Sequence, residues 1–363
     1  MLTRFVGNDH GVIARRLTPA LLAGFLLCAA TPSRAQAPPT LPPVTVGAGV
    51  QTSFVHTSPD GGDSTDAFPL NSVRLYVSGS AANKIKYMFN TEYDGSGNHV
   101  TVLDAAAQFE MSPQFNIWVG RMLPPSDRAN LYGPYYSNEW AVYSDGIQDG
   151  YPFVATGRDN GVLYWGQFDK VKVSAGAYDG ASATGSKTVL GAGRVQVDFW
   201  DPEGGYYLNG TYYGGKNLLA VGLAGQVQGS DNSAWNADFL LEKKVAGGGA
   251  FTIESQYNKY SKLGGYNARY AGSDGAYGLA SFLFPPAMGL TGKFEVMGKY
   301  AKANFSKGLG AADRDYSQKT TEINFDYIIR DFNARVMIFY KDTRFDAVQQ
   351  NSKQVGVGVQ LQM

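Results

Sequence analysis

Cysteine is nearly missing: the chain has one, Cys28, in 363 residues, and only three histidines. A disulfide scaffold or a zinc site needs more cysteine than that. An excess of one charge is missing too. The chain holds 31 Lys+Arg against 31 Asp+Glu, which excludes a strongly basic nucleic-acid binder. Long apolar runs are absent after residue 30; a spanning helix needs roughly 18 or more such residues, and later stretches are short pieces such as Leu218 to Gly225. Disorder is excluded as well, because 44% hydrophobic residues can bury a large surface. What is abundant is Gly (45), Tyr (23) and Phe (20), in a chain of mean hydropathy −0.22. Two classes share that composition: soluble all-β proteins and membrane β-barrels.

The N-terminus points to export. Arg4, Arg15 and Arg16 precede an apolar run from Leu17 to Ala30, then Thr31-Pro32-Ser33-Arg34-Ala35. That is the order of a cleavable secretory signal, with cleavage expected after Ala35. The run is short for a bilayer of roughly 30 Å, and Leu27 is bulky where a lipobox before Cys28 wants a small residue. Removing residues 1–35 leaves 27 basic and 30 acidic residues and no cysteine. The mature chain then has no disulfide to rely on.

Residues 36–43 read as a Pro-rich lead-in, and from Val44 to Met363 the period is 2. Val73 to Ser78, Ile85 to Asn90, Val195 to Phe199, Phe251 to Tyr257 and Val355 to Met363 all alternate. Large apolars such as Val73, Leu75, Phe89, Phe199, Phe325 and Ile338 take one face; Asp104, Arg194, Asp238, Glu254, Glu295, Asp326 and Arg335 take the other. Connections alternate in length. Those at 112–114, 169–170 and 330–332 are tight; those near 57–70, 123–159, 179–187, 261–275, 306–317 and 343–352 are long. Short turns at one end and long loops at the other are the mark of an outer-membrane barrel. Tyr93, Tyr178, Tyr213, Trp235, Tyr260 and Tyr340 stand at strand ends, as an aromatic girdle requires. Seventeen segments alternate, but closure with both termini on one side needs an even number. The weakest, Tyr206 to Tyr213, lies between Gly204-Gly205 and Gly214-Gly215 and is assigned to a connection. The expected fold is therefore all-β, a transmembrane antiparallel barrel of 16 strands with an infolded constriction loop at 123–159.

Several motifs carry a resemblance. Gly120-Arg121-Met122-Leu123-Pro124 follows a strand; Gly193-Arg194-Val195 precedes Asp201-Pro202-Glu203-Gly204-Gly205-Tyr206-Tyr207; Ala234-Trp235-Asn236-Ala237-Asp238 and Leu283-Phe284-Pro285 come later. In this order they resemble the phosphate-selective porin O/P-like proteins over most of the chain. The resemblance implies an outer-membrane porin, usually a homotrimer, that passes small hydrophilic solutes and ions, with anions such as phosphate as one possibility. It implies lipid and lipopolysaccharide as surroundings, and no cofactor, metal or nucleic acid. Met363 stands where the family usually ends in Phe.

Alternation and loop length select the candidate pore residues. Arg74, Lys86, Lys172 and Arg194 are expected on the inner wall. Arg121 has outward parity, which a charge resists in lipid, so a bulge at Gly120 is expected to turn it inward. The 123–159 loop is long enough to be functional and carries Asp127, Glu139, Asp145 and Asp149 beside Arg128. An acidic loop facing a basic wall would set a transverse field. The alternative is a barrel enzyme, protease- or phospholipase-like, using rim histidines His56 or His99. No paired His or Cys supplies a metal signature.

Overall fold

Alternating β-branched and aromatic residues favour a pleated strand with one apolar face. The computed structural model shows how these strands assemble. It describes residues 43–94, 99–140, 144–147, 157–180, 188–263, 269–347 and 349–363. The expected signal (1–35) and most of the lead-in fall outside them.

The strands are β1 (Val44–Pro59), a short β2 (Thr65–Ala67), β3 (Leu70–Ala82), β4 (Ile85–Asp94), β5 (His99–Ser112), β6 (Phe115–Met122), β7 (Asp159–Phe168), β8 (Val171–Tyr178) and β9 (Leu190–Asp198). After residues 199–217 come β10 (Leu218–Gln228), β11 (Asn232–Val245), β12 (Gly249–Ser261), β13 (Tyr270–Leu283), β14 (Lys293–Gly308), β15 (Tyr316–Arg330), β16 (Ala334–Phe345) and β17 (Ser352–Gln362). Each long strand pairs antiparallel with its neighbours, and β17 pairs with β1, so sixteen strands close the sheet. Strand β2 only caps the rim beside β1. Ala48 and Met363 exchange both backbone hydrogen bonds, at 3.1 and 2.9 Å. Closure leaves no sheet edge, which a chain surrounded by hydrocarbon requires.

Sidedness follows the alternation. Leu75, Phe89, Phe199, Phe325 and Ile338 are exposed on the outside, while Asp104, Arg194, Asp238, Glu254, Glu295, Asp326 and Arg335 are buried inside. The girdle is corrected in part. Trp235 is exposed outside, but Tyr178, Tyr213 and Tyr260 are buried. Their parity places them on the inner wall or, for Tyr213, in a connection that turns inward.

Candidate functional site: a filled and charged lumen

A sixteen-stranded barrel leaves a wide interior. Here the connection after β6 enters it. Strand β6 ends at Met122, Pro124 and Pro125 have no N–H to continue its ladder, and Asp127 caps a short helix, α1 (Arg128–Tyr132), by accepting from Asn130 N at 2.9 Å. Gly133 ends it with φ 64°, and Pro134 opens a 3-10 turn. These breakers turn the chain across the lumen. Tyr132 donates to Glu254 on β12, Asn138 to Ser281 on β13, and Tyr135 to the Ser72 carbonyl on β3. Arg335 on β16 and Gln51 on β1 donate to carbonyls of the same loop. Small wall residues make the approach possible. A side chain at Gly49 would meet the Tyr135 ring at 2.7 Å, and one at Gly358 the Trp140 ring at 2.5 Å.

The charges form two networks. In the first, Arg194 clamps Asp238 with bonds of 2.5 and 2.8 Å, and Arg128 clamps Glu203 with bonds of 3.0 and 2.5 Å. Gln196 bridges Glu203 and Asp198 at 2.7 and 2.8 Å. Such bidentate pairs are strong because the guanidinium fork matches a carboxylate. Burial by itself raises the Glu203 carboxyl, but the Arg128 guanidinium outweighs it and holds the group at about 2. Burial pushes Asp127 up to about 6, even though it caps α1. Lys172 borders a small cavity here with Arg194, Gln196, Leu131 and Tyr206. In the second network Lys299 sits 2.6 Å from both Glu139 and Asp145, over the Tyr277 ring.

These contacts change the expected field. The loop acids Glu139 and Asp145 touch a wall base directly, and Arg128 of the loop touches wall and connection acids. Loop and wall are zipped by ion pairs instead of facing each other across water.

The inner wall is wetter at the turn end of β3 to β5. Lys86 reaches Glu110 at 2.5 Å with half of its side chain exposed, and Arg74 reaches Glu92 at 2.9 Å. Ser78 and Ser80, on the same face, are exposed. Arg158, which the sequence reading left out of the site, reaches Asp104 at 3.1 Å.

Arg121 is a correction. The ladders of β6 with β5 and β7 run unshifted through Gly120 and Arg121, so no bulge turns Arg121 inward. The irregularity lies one strand away, where β5 carries Leu103 as an extra residue opposite Asn90 and Thr91 of β4. Arg121 keeps its outward parity near the loop end, and its Nε donates to the Val102 carbonyl beside that bulge at 3.0 Å. A carbonyl freed by a bulge satisfies the guanidinium in place of the lumen.

Of the other candidates, Arg128, Asp127, Glu139, Asp145, Lys172 and Arg194 come together under or within the loop; Arg74 lies across the lumen against the loop's Tyr135 ring, and Lys86 stands apart near the turn end. Asp149 lies outside the described residues. Sequence reading missed the partners Glu203 and Asp238 as members of one cluster, and Lys299 as the partner of the loop acids. The alternation of β11 and β14 does place Asp238 and Lys299 inward; nothing local signals that Glu203 turns in.

At the rim, His56 Nδ1 lies 2.7 Å from Asp66, and its Nε2 lies 3.1 Å from Ser58 Oγ. All three are at the loop end of β1 and β2. His99 begins β5, opposite Asp94.

No protein-family model matches the chain, and no curated protein matches it in sequence. Among solved structures it is similar to OprB of Pseudomonas putida, with TM-score 0.59 and 10% identity, covering 88% of this chain and 94% of that one. It is similar to an anion-selective porin from Comamonas acidovorans, with TM-score 0.56 and 14% identity over 88% and 99% of the two chains. It is also similar to OmpT, an outer membrane protein of Vibrio cholerae, in a trimer form (TM-score 0.52, 12% identity, 88% and 99%). At these identities the likeness shows the fold, a porin-type barrel of sixteen antiparallel strands.

Proposed function

We propose that the protein is a passive porin of a bacterial outer membrane that passes small hydrophilic solutes and ions. The observation that carries this reading is the sidedness of a closed barrel: exposed apolars outside, ionisable groups inside, and a loop packed across the lumen. The short-turn end then faces the periplasm and the long loops face outward. Solutes pass by the wetter wall at the turn end of β3 to β5, beside Lys86, Glu110, Ser78 and Ser80, and near the more buried pairs Arg74–Glu92 and Arg158–Asp104. Each base there has an acid beside it, so selectivity is weak, and small anions such as phosphate follow the basic edge. Lipid and lipopolysaccharide cover the outer belt, and three copies assemble, as the OmpT trimer form does. No cofactor is involved. Conductance of purified protein in planar bilayers tests the reading; a heat-modifiable species that never conducts would overturn it.

One observation favours a second reading, a hydrolase: Ser58, His56 and Asp66 stand in the order of nucleophile, base and orienting acid. His56 is 45% exposed and Asp66 63%, so nothing there excludes water. Labelling by a fluorophosphonate, lost in Ser58→Ala, would support it.

A further inference from the structure

Most other connections at the turn end are short, and the longer one at 284–292 is exposed from 284 to 291. Asn83 and Lys84 join β3 to β4, and Asp169 and Lys170 join β7 to β8. Residues 199–217 do something else. Their neck is zipped: Phe199 N donates to Leu219 O at 2.7 Å and Asp201 N to Asn217 O at 3.0 Å. Beyond the neck the chain turns into the barrel, and Glu203, Tyr206, Leu208, Thr211 and Tyr213 are buried.

The inserted tract packs on the infolded loop along its whole length. Tyr206 donates to Leu123 O at 2.8 Å, Leu208 N to Leu131 O at 3.3 Å, and Gly210 N to Tyr136 O at 2.8 Å. It also reaches far across the lumen. Tyr206 and Tyr207 pack on Trp118 of β6, with ring centroids 5.3 and 5.8 Å apart, and Tyr213 lies 4.9 Å from Phe332 between β15 and β16. Glycine pairs bracket it. Gly205 and Gly214 both take φ 81°, and a side chain at Gly204 or Gly205 would meet nothing. Glu242 pins the far end through Thr211, Tyr212 N and Gly214 N, at 2.9, 2.6 and 2.7 Å. The near end is held to the loop by Glu203 on Arg128.

We infer that residues 206–213 form a second constriction, a floor that closes the lumen from the turn end, hinged at Gly204-Gly205 and latched to the loop by the bonds of Tyr206, Leu208 and Gly210. This rests on the channel reading and adds to it an element that the long loop alone does not supply. Carbonyls at Leu123, Leu131 and Tyr136 are satisfied by the floor, so swinging it away from the loop exposes them to water and widens the path.

The test uses the full chain in planar bilayers, with Leu131→Cys and Leu208→Cys combined. Oxidation locks floor to loop; reduction frees it. Mean conductance is expected to rise about twofold or more on reduction. A second variant, with Gly205 joined to Gly214 through Ser-Gly, is expected to conduct permanently at the higher level. Equal conductance in the oxidised, reduced and shortened forms overturns the floor. If the shortened chain does not fold, the cross-linked pair decides alone. If neither the unmodified chain nor any variant conducts, the channel reading fails and takes the floor with it.

Discussion

Arg128 and Glu203, 75 residues apart in sequence, meet inside the barrel through two parallel hydrogen bonds, and both side chains are almost wholly buried. One comes from the loop at the long-loop end and the other from the connection at the turn end. A guanidinium this deep is tolerable only when its charge and donors are answered, and Glu203, Asn209 O and nearby Asp238 answer them.

Removing both partners should therefore cost less than the sum of the two single removals. Glu203→Gln and Arg128→Met are each expected to lower unfolding stability by roughly 3–5 kcal/mol, because each takes from a buried charge its bidentate partner. The double variant should lose clearly less than their sum. Urea unfolding of the detergent-folded protein reads this; simple additivity would show that the pair is not coupled.

Two small wall positions should be intolerant for reasons of volume. Gly358→Leu would drive into the Trp140 ring, and Gly49→Leu into Tyr135. Overpacking typically costs about 1–3 kcal/mol, and here the loop can yield before the strand does. Both variants are expected to keep the barrel and conduct more. Unchanged conductance with intact stability would mean that the loop does not narrow the path.

Acid should act through two groups of opposite sign. Glu203 has about 2 in the fold against an ordinary 4.5, so its contribution is complete above 4.5 and drains as the pH falls towards 2. Asp127, raised by burial from 3.8 to about 6, works the other way: its charged form is disfavoured, so stability declines as the pH rises through that interval. Stability against pH should lose its acid limb in Glu203→Gln and its 3.8-to-6 limb in Asp127→Asn. Glu203→Gln with the acid limb intact would refute the assignment.

Selectivity should separate two arginines that the sequence treats alike. Arg74 pairs with the part-exposed Glu92 above the wetter turn end of the wall; Arg194 is locked to Asp238, Gln196 and Ser126 O. In a salt gradient Arg74→Ala is expected to move the reversal potential towards cations. Arg194→Ala should mainly destabilise, by roughly 3–5 kcal/mol. A larger shift from Arg194 than from Arg74 would place the path elsewhere in the lumen.

How much of this was legible beforehand differs by element. The sixteen strands and the wall facing of Asp238, Glu254 or Phe325 were readable, because the pleat sends successive side chains to opposite faces and writes a period of 2 into the chain. Assigning 206–213 to a connection was also readable, from its flanking glycine pairs. Arg121 was misread because a bulge shifts parity on the strand that carries it, and that strand was β5.

The sequence alone determined the pleat, its sidedness, the closure number and the 123–159 loop as long enough to enter the lumen, but not that 199–217 enters as well. Tertiary structure alone decided which charges meet there. Loop 123–159 and connection 199–217 have no repeating pattern, and their partners lie tens to hundreds of residues away. Only closing the sheet brings Arg128 to Glu203 and Lys299 to Glu139. The physical reason is that strand sidedness is a local property of the backbone, whereas ion pairing in a filled lumen depends on how two irregular segments cross a space that no single strand defines.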